Sequence, residues 1–358
     1  MAPLNSSFQL ILQSVIGGLA LAFIVVLINP QLIAPGSQPQ PAANGFAGAV
    51  ARSGPAVVSI YTALGARPLA GTSAVPTRSG LGSGVIISES GYVVTNWHVV
   101  EGARELVVQL ADGRTRQPEF VGADPETELA LLKLDLPDLP YAELGYSDQL
   151  RAGDVVLAIG NSLGLSQTVT MGIVSATGRG QLNVAQFENF IQTDAAINIG
   201  SSGGALIDTQ GRLVGISTAV VGRSGWQRAA PEGLGFAIPI NLVRGVVEQL
   251  IEHGRVIRGF LGVELSDVSA AEAESLGLSG SAVLVQEVLD GPAAEAGLAA
   301  GDILTHLDGR RIGNSQQFIG QVASTAPGTR LRIRVERLGG HTFEAEAVLT
   351  ERPGATLR

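Results

Sequence analysis

Between residues 57 and 238 the sequence never holds one hydrophobic periodicity for long. Short β-type runs appear at 57–61 (VVSIY), 84–87 (GVII), 92–95 (YVVT), 106–110 (LVVQL), 129–134 (LALLKL), 155–159 (VVLAI), 212–221 and 234–238, and glycines and acidic turns break them apart. Short runs bounded by turn residues read as strands, and many in succession favour an all-β barrel or sandwich. A parallel βαβ arrangement needs crossover connections of a dozen or more residues, and no amphipathic stretch of that length lies between the early runs. The 47 glycines follow no G-x-Y period, so they mark turns and not a collagen-like repeat. One helix is expected here, at 241–253 (NLVRGVVEQLIEH). Its apolar Leu242, Val243, Val246, Val247, Leu250 and Ile251 recur at helical spacing behind Pro239.

The N-terminal stretch 8–28 (FQLILQSVIGGLALAFIVVLI) carries no charge. About 20 apolar residues suffice to cross a bilayer as a helix, so 1–29 reads as a single-pass membrane anchor. A cleaved secretory signal is the competing reading, and the length of the run and the lack of a small-x-small site weigh against it. Residues 30–54, rich in Pro, Ala, Gly and Gln, read as a tether. A first folded domain is expected at 55–254 and a second at 257–350, with a tail at 351–358. In the second, β-type runs at 282–286, 330–337 and 341–349 alternate with helix-like stretches at 270–276 and 315–323.

The net charge of −9 and the scarcity of basic clusters argue against a nucleic-acid partner. The absence of cysteine excludes disulfides, thiolate metal sites and a cysteine nucleophile. Four histidines, His98, His253, His306 and His341, form no close ligand pair, so no metal site is expected.

Three segments carry possible chemistry. His98 follows a β-type run in TNWHVV, a histidine whose ordinary reading is structural. Ser202 sits between glycines in GSSGG, where a tight turn exposes a hydroxyl and converges backbone N–H groups, or where nothing more than a Gly/Ser loop exists. The stretch 124–128 (DPETE) sets carboxylates at the entrance to the run LALLK, and by itself is an acidic turn.

Taken in order, four segments resemble the HtrA/Deg family of trypsin-like serine proteases, and in it the membrane-anchored, single-PDZ (DegS-like) members. They are Gly82-Ser83-Gly84-Val85-Ile86, Thr95-Asn96-Trp97-His98-Val99, the run 127–133 (TELALLK) and the run 200–206 (GSSGGAL). The resemblance implies a double β-barrel trypsin-like protease domain followed by a PDZ domain. It implies that Ser202 is the nucleophile, that His98 is its base, and that the amides of Gly200 and Ser202 form the oxyanion hole, with no cofactor.

Two positions depart from the family pattern. Ser201 stands where the family has asparagine. Glu128 stands where the family has the aspartate that orients the histidine. Glutamate keeps the charge but moves its oxygens by about 1.5 Å unless the chain adjusts. Misplacement on that scale costs roughly 10²-fold in rate, so an attenuated or strictly activated enzyme is expected. Asp124 is a weak substitute for the role.

The resemblance further implies an apolar S1 pocket from Ile197, Val221 and Leu234, selecting aliphatic residues such as valine. Asp194 reads as structural. The stretch 178–190 resembles the family's regulatory loop, with Arg179 a candidate relay. Phe260, Leu261, Gly262 and Val263 match a PDZ carboxylate-binding segment, whose groove runs on along the helix from Ser315.

The expected function is an envelope-stress endopeptidase in the bacterial inner membrane, with its protease and PDZ domains in the periplasm. C-terminal peptides of misfolded outer-membrane proteins would activate it, a membrane-bound anti-sigma factor's periplasmic domain would be its substrate, and homotrimers are implied. Two alternatives stand beside this: a broad periplasmic quality-control protease acting on unfolded chains, and a catalytically silent scaffold that binds peptides.

Overall fold

The computed structural model describes residues 6–28, 45–64, 79–161, 167–180, 182, 185–218, 233–269, 272–273, 282–337 and 341–353. By its internal contacts the chain divides into Met1–Gly48 and Ala49–Arg358. In the first unit, α1 (Ser6–Ile28) is a helix of 23 residues with no acidic residue in its first turn and no basic residue in its last. Among the described residues no helix is long and apolar enough to cross a membrane. The expected anchor therefore has no support from the described structure.

In the second unit, which begins within α2 (Ala47–Ser53), Arg52 Nε donates to the Gln210 carbonyl at 2.8 Å. The first sheet contains β1 (Val57–Leu64), β2 (Ser79–Ile86), β3 (Tyr92–Asn96), β4 (Ala103–Gln109), β5 (Thr115–Arg116), β6 (Glu119–Asp124) and β7 (Leu129–Lys133). Its order is β5-β4-β1-β2-β3-β7-β6, antiparallel throughout. Val58, Ile60, Ile86, Val93, Val108 and Leu132 fill its core. Between β3 and β4 lies the single turn α3 (Trp97–Val100).

The next six strands are β8 (Val155–Gly160), β9 (Thr168–Arg179), β10 (Phe190–Thr193), β11 (Ala205–Asp208), β12 (Leu213–Thr218) and β13 (Gly235–Pro239). They close into a barrel in the order β10-β13-β12-β11-β8-β9. Of the two barrels expected from the sequence, this one is closed by hydrogen bonds. The first is a seven-stranded sheet whose edges, the two-residue β5 and the six-residue β6, are not bonded to one another among the described residues. The strand β9 was not legible as an apolar run, because its TVTMGIV alternates polar and apolar residues along a half-exposed strand. α4 (Ile240–His253) matches the expected helix. It buries Val243, Val246, Val247 and Leu250, and ends where Gly254 enters the left-handed region and donates to the Leu250 carbonyl.

The last domain holds β14 (Gly259–Phe260) against β21 (Thr350–Glu351). Its main sheet contains β15 (Val263–Val268), β16 (Ala282–Val288), β17 (Ile303–Leu307), β18 (Arg310–Arg311), β19 (Arg330–Arg337) and β20 (His341–Val348). Among the described residues β15 lies at one edge of it, paired to β16 alone. The helix Ser315–Ser324 is capped by Asn314, whose side chain accepts the Gln317 N–H at 2.8 Å, and it buries Phe318 and Val322 with Leu261, Val283, Leu304 and Ile333. Most of the helix expected at 270–276 lies outside the described residues.

Candidate active site

His98 stands on α3, directly after β3. The β3–β7 register pairs Asn96 with Leu129, so Glu128, one residue before β7, lies across from the start of α3. Trp97 N–H donates to the Glu128 carbonyl at 3.0 Å and Asn96 Nδ2 donates to the same oxygen at 3.2 Å. Trp97 packs on Phe120 of β6, with ring centroids 6.5 Å apart. The turn that carries His98 is therefore fixed by backbone and by packing before any catalytic contact is made.

The Glu128 side chain closes the arrangement. Its Oε2 accepts from His98 Nδ1 at 2.9 Å and from the His98 backbone N–H at 3.2 Å. The displacement expected from the extra methylene is not present. Glu128 has φ 61°, in the left-handed region that glutamate seldom adopts, so the backbone is held there by its surroundings. With Nδ1–H given to the carboxylate, Nε2 is left as the acceptor, the state a general base requires. The histidine side chain is 38% exposed and the carboxylate 14%.

Asp124 takes no part in this contact. It accepts both guanidinium nitrogens of Arg258, from Nη1 at 2.8 Å and from Nη2, and it also accepts the Thr127 hydroxyl. Both partners are buried. Glu126 pairs with Arg258 and Arg352, each at 3.2 Å, and Phe187 lies beneath both guanidinium groups at 4.6 and 5.5 Å. The N–H groups of Gln186 and Phe187 donate to the Glu126 carbonyl. The 124–128 turn, which delivers Glu128 to His98, is thus gripped from its other side by the last domain and by the loop before β10. No sequence signal marks this junction, because Asp124 and Arg258 are 134 residues apart.

Ser202 lies in a turn fastened between the two sheets. Ser201 N–H donates to the Asn198 carbonyl at 2.9 Å, and Gly200, at φ 93°, takes the corner that needs a positive φ. Gly203 N–H donates to the Ser217 carbonyl and Gly204 N–H to the Ser201 carbonyl, while the Ser202 carbonyl accepts the Ser83 N–H at 2.8 Å. Gly203, at φ 84°, has no room for a side chain: a Cβ there would stand 2.1 Å from the Ser83 carbonyl oxygen and 2.4 Å from Thr95 Oγ1. Ser83 belongs to β2, and Thr95, three residues before His98, to β3. One hairpin therefore carries the histidine and holds the serine turn.

Of the expected pocket residues, Ile197 is partly buried against the barrel core, and its Cδ1 lies 3.0 Å from where a Cβ on Gly235 would be. Leu234, adjacent in sequence, is exposed. Ile197 and Leu234 are thus brought to one place, whereas Val221 lies outside the described residues. Asp194 accepts the Ile173 N–H at 2.7 Å and so braces β9. Arg179 ends β9, with its Nε donating to Gln192 Oε1 at 2.8 Å.

In the last domain Phe260 is on β14, Leu261 and Gly262 are buried in the connection, and Val263 begins the edge strand β15. The Leu261 and Gly262 carbonyls accept from Ala293 and Leu289. Ser315 N–H donates to Asp267 at 2.6 Å, which ties the helix Ser315–Ser324 to β15. A cavity of about 930 Å³ lies away from Ser202, between the loop containing Arg179 and Glu188, α4 at Asn241 and Gln249, and the last-domain helix at Gln316 and Gly320.

Comparison with known proteins agrees with these two parts. A trypsin-like peptidase domain matches residues 82–216, and a PDZ domain matches 259–349. The chain is 43% identical over 274 residues to a probable periplasmic serine endoprotease DegP-like of Chlamydia trachomatis, covering 76% of this chain and 54% of the relative. It is 44% identical over 274 residues to the periplasmic pH-dependent serine endoprotease DegQ of Escherichia coli K12, covering 75% and 59%. The chain thus spans little more than half the length of these curated relatives. Among solved structures, HtrA-type protease AlgW with a tripeptide superposes with a TM-score of 0.76 at 47% identity, covering 87% of this chain and 98% of that one.

Proposed function

This chain belongs to the HtrA/Deg family of trypsin-like serine proteases, and on that premise we propose that it is a periplasmic serine endopeptidase with Ser202, His98 and Glu128 as its catalytic residues. The observation that carries the reading is the 2.9 Å contact between His98 Nδ1 and Glu128 Oε2, on the hairpin that also holds the Ser202 turn.

In this reading His98 Nε2 takes the Ser202 hydroxyl proton as Oγ attacks the scissile carbonyl. The tetrahedral oxyanion is received by the amides of Gly200 and Ser202. The Glu128 carboxylate stabilises the imidazolium so formed. The proton then passes to the departing amine, and water attacks the acyl-enzyme by the same route in reverse. The reach of Glu128 favours a working orienting carboxylate over the attenuation expected from its length, and takes away the main support for a silent scaffold. Ile197 and Leu234, both apolar, favour an aliphatic residue before the cleaved bond.

The PDZ domain is proposed to take the C-terminal peptides of misfolded outer-membrane proteins along β15. Among the described residues no strand pairs with the outer edge of β15, which leaves it for strand addition, and the solved relative named above carries a peptide. Two features connect that groove to the catalytic turn: the Arg258 grip on Asp124 and Glu126, and the cavity between the Arg179 loop and the helix Ser315–Ser324. Cleavage of an anti-sigma factor and homotrimer assembly complete the proposal. The names of the curated relatives favour broader periplasmic proteolysis as a second reading.

The test is cleavage of unfolded casein by the full chain, with and without a peptide ending in an aromatic carboxylate, beside Ser202→Ala. Cleavage that the peptide stimulates and Ser202→Ala abolishes supports regulated proteolysis. Peptide-independent cleavage favours the broad reading. No cleavage and no fluorophosphonate labelling of Ser202 would remove the enzyme.

A further inference from the structure

One buried hydroxyl joins the two sheets beneath the nucleophile. Ser83, fully buried on β2, accepts the Asn161 N–H on its Oγ at 2.8 Å, and the same Oγ donates to the Gly200 carbonyl at 2.7 Å. A serine hydroxyl owns a single proton. Because the Asn161 contact is a backbone N–H that only donates, the Ser83 proton is committed to Gly200. The rest of Ser83 is engaged as well: its N–H donates to the Ser202 carbonyl at 2.8 Å and its carbonyl accepts the Thr95 hydroxyl at 2.7 Å. Asn161 continues the chain of bonds, its Nδ2 donating to Ser59 Oγ on β1 at 2.8 Å.

This wiring acts on one peptide unit. The Gly200–Ser201 peptide has its carbonyl held by Ser83 Oγ and its N–H held by the Asn198 carbonyl. With both ends bonded, its plane cannot rotate without breaking two buried hydrogen bonds. The amides assigned to the oxyanion hole, those of Gly200 and Ser202, flank this fixed plane on either side. We propose that Ser83 is a positioning residue of the reaction: its hydroxyl locks the Gly200–Ser201 peptide, and through it the direction of both oxyanion donors. Ser83 touches no substrate atom. It acts through the turn, from the hairpin that carries His98.

The inference rests on the protease reading, and the experiment separates the two. Ser83→Ala and Ser83→Cys are made in the full chain. The second keeps a one-atom side chain on Cβ while replacing a strong donor with a larger, weaker one. Kinetics are measured on an internally quenched peptide with valine before the cleaved bond, and inhibition with a peptide boronic acid, whose adduct on Ser202 places an oxygen in the oxyanion hole. Misdirected donors cost transition-state and not ground-state binding. The expected result is a kcat about 10²-fold lower with KM unchanged, and boronate affinity lower by a similar factor. Weakening two buried hydrogen bonds lowers the melting temperature of both variants modestly, but the affinity of the PDZ domain for a C-terminal peptide should stay at the parent's value. A folded variant with parental kcat overturns the inference. So does a pattern in which KM rises while kcat, PDZ affinity and melting temperature fall together in both variants, since that is a packing effect. A parent that neither cleaves nor labels removes the protease reading, and this inference with it.

Discussion

Replacing Glu128 by aspartate restores the residue that the family pattern expects, yet the geometry assigns it a loss. In this chain Oε2 stands 2.9 Å from His98 Nδ1. Removing one methylene withdraws the carboxylate by about 1.5 Å, to a separation of about 4.4 Å, beyond hydrogen-bond range. The imidazole then loses the group that fixes its tautomer and steadies its charge, and a displacement of this size costs roughly 10²-fold in kcat. Stability should move less. Aspartate is several-fold commoner than glutamate in the left-handed region that Glu128 occupies at φ 61°, so a more favourable backbone offsets part of the two hydrogen bonds to His98 that the shorter side chain gives up. Glu128→Gln separates reach from charge. It spans the same distance without the carboxylate and should lose about 10⁴-fold, as an amide in this position favours the wrong tautomer. Steady-state kinetics on a quenched peptide, paired with thermal unfolding of each variant, reads both effects. Glu128→Asp with activity at or above the parent's would refute the argument, because the length of the carboxylate arm would then not set the histidine.

Arg258→Ala leaves Asp124 buried without its bidentate partner. Thermal unfolding should register a loss of about 3 kcal/mol, and PDZ-peptide stimulation of cleavage should weaken more than basal cleavage. Gly203→Ala drives a Cβ to 2.1 Å from the Ser83 carbonyl oxygen at a positive φ, so cleavage and fluorophosphonate labelling should both be lost, while an alanine at exposed Gly113 should still label. Burial works to raise the carboxyl of Asp302, but the Arg337 guanidinium and the Ala299 N–H outweigh it and hold Asp302 below the ordinary aspartate value of 3.8. A depressed carboxyl contributes stability that is fully present above the unfolded value and is lost as pH falls through the folded one. Acid unfolding of the PDZ domain, followed below pH 3.8, should therefore be shallower in Asp302→Asn than in the parent.

Much of the site could be read from the chain before any coordinates. His98 follows a strand in TNWHVV, Ser202 sits in GSSGG, and Glu128 opens the run LALLK. Each lies where a short strand meets a turn, and local pattern is enough to place such junctions. Local pattern is less informative where exposure alternates. The TVTMGIV of β9 faces solvent on one side and gives no apolar run, and of the two barrels that the resemblance implies, hydrogen bonds close one among the described residues. The length of the Glu128 side chain is visible in sequence, and its backbone conformation is not.

What the sequence determined by itself was the list of parts and their order. Glycine-punctuated strands dictate an antiparallel β protein, and the positions of His98, Glu128 and Ser202 at strand ends follow from residue type and spacing. Only the tertiary structure decided how the parts engage. The left-handed turn at Glu128 converts a longer carboxylate into a 2.9 Å partner for His98, Asp124 is taken up by Arg258, and Ser83 ties the first sheet to the Ser202 turn. These contacts join residues 30, 134 and 117 positions apart. Local propensity has no means of specifying such pairs; they arise only when the sheets pack and each buried polar group must find a partner.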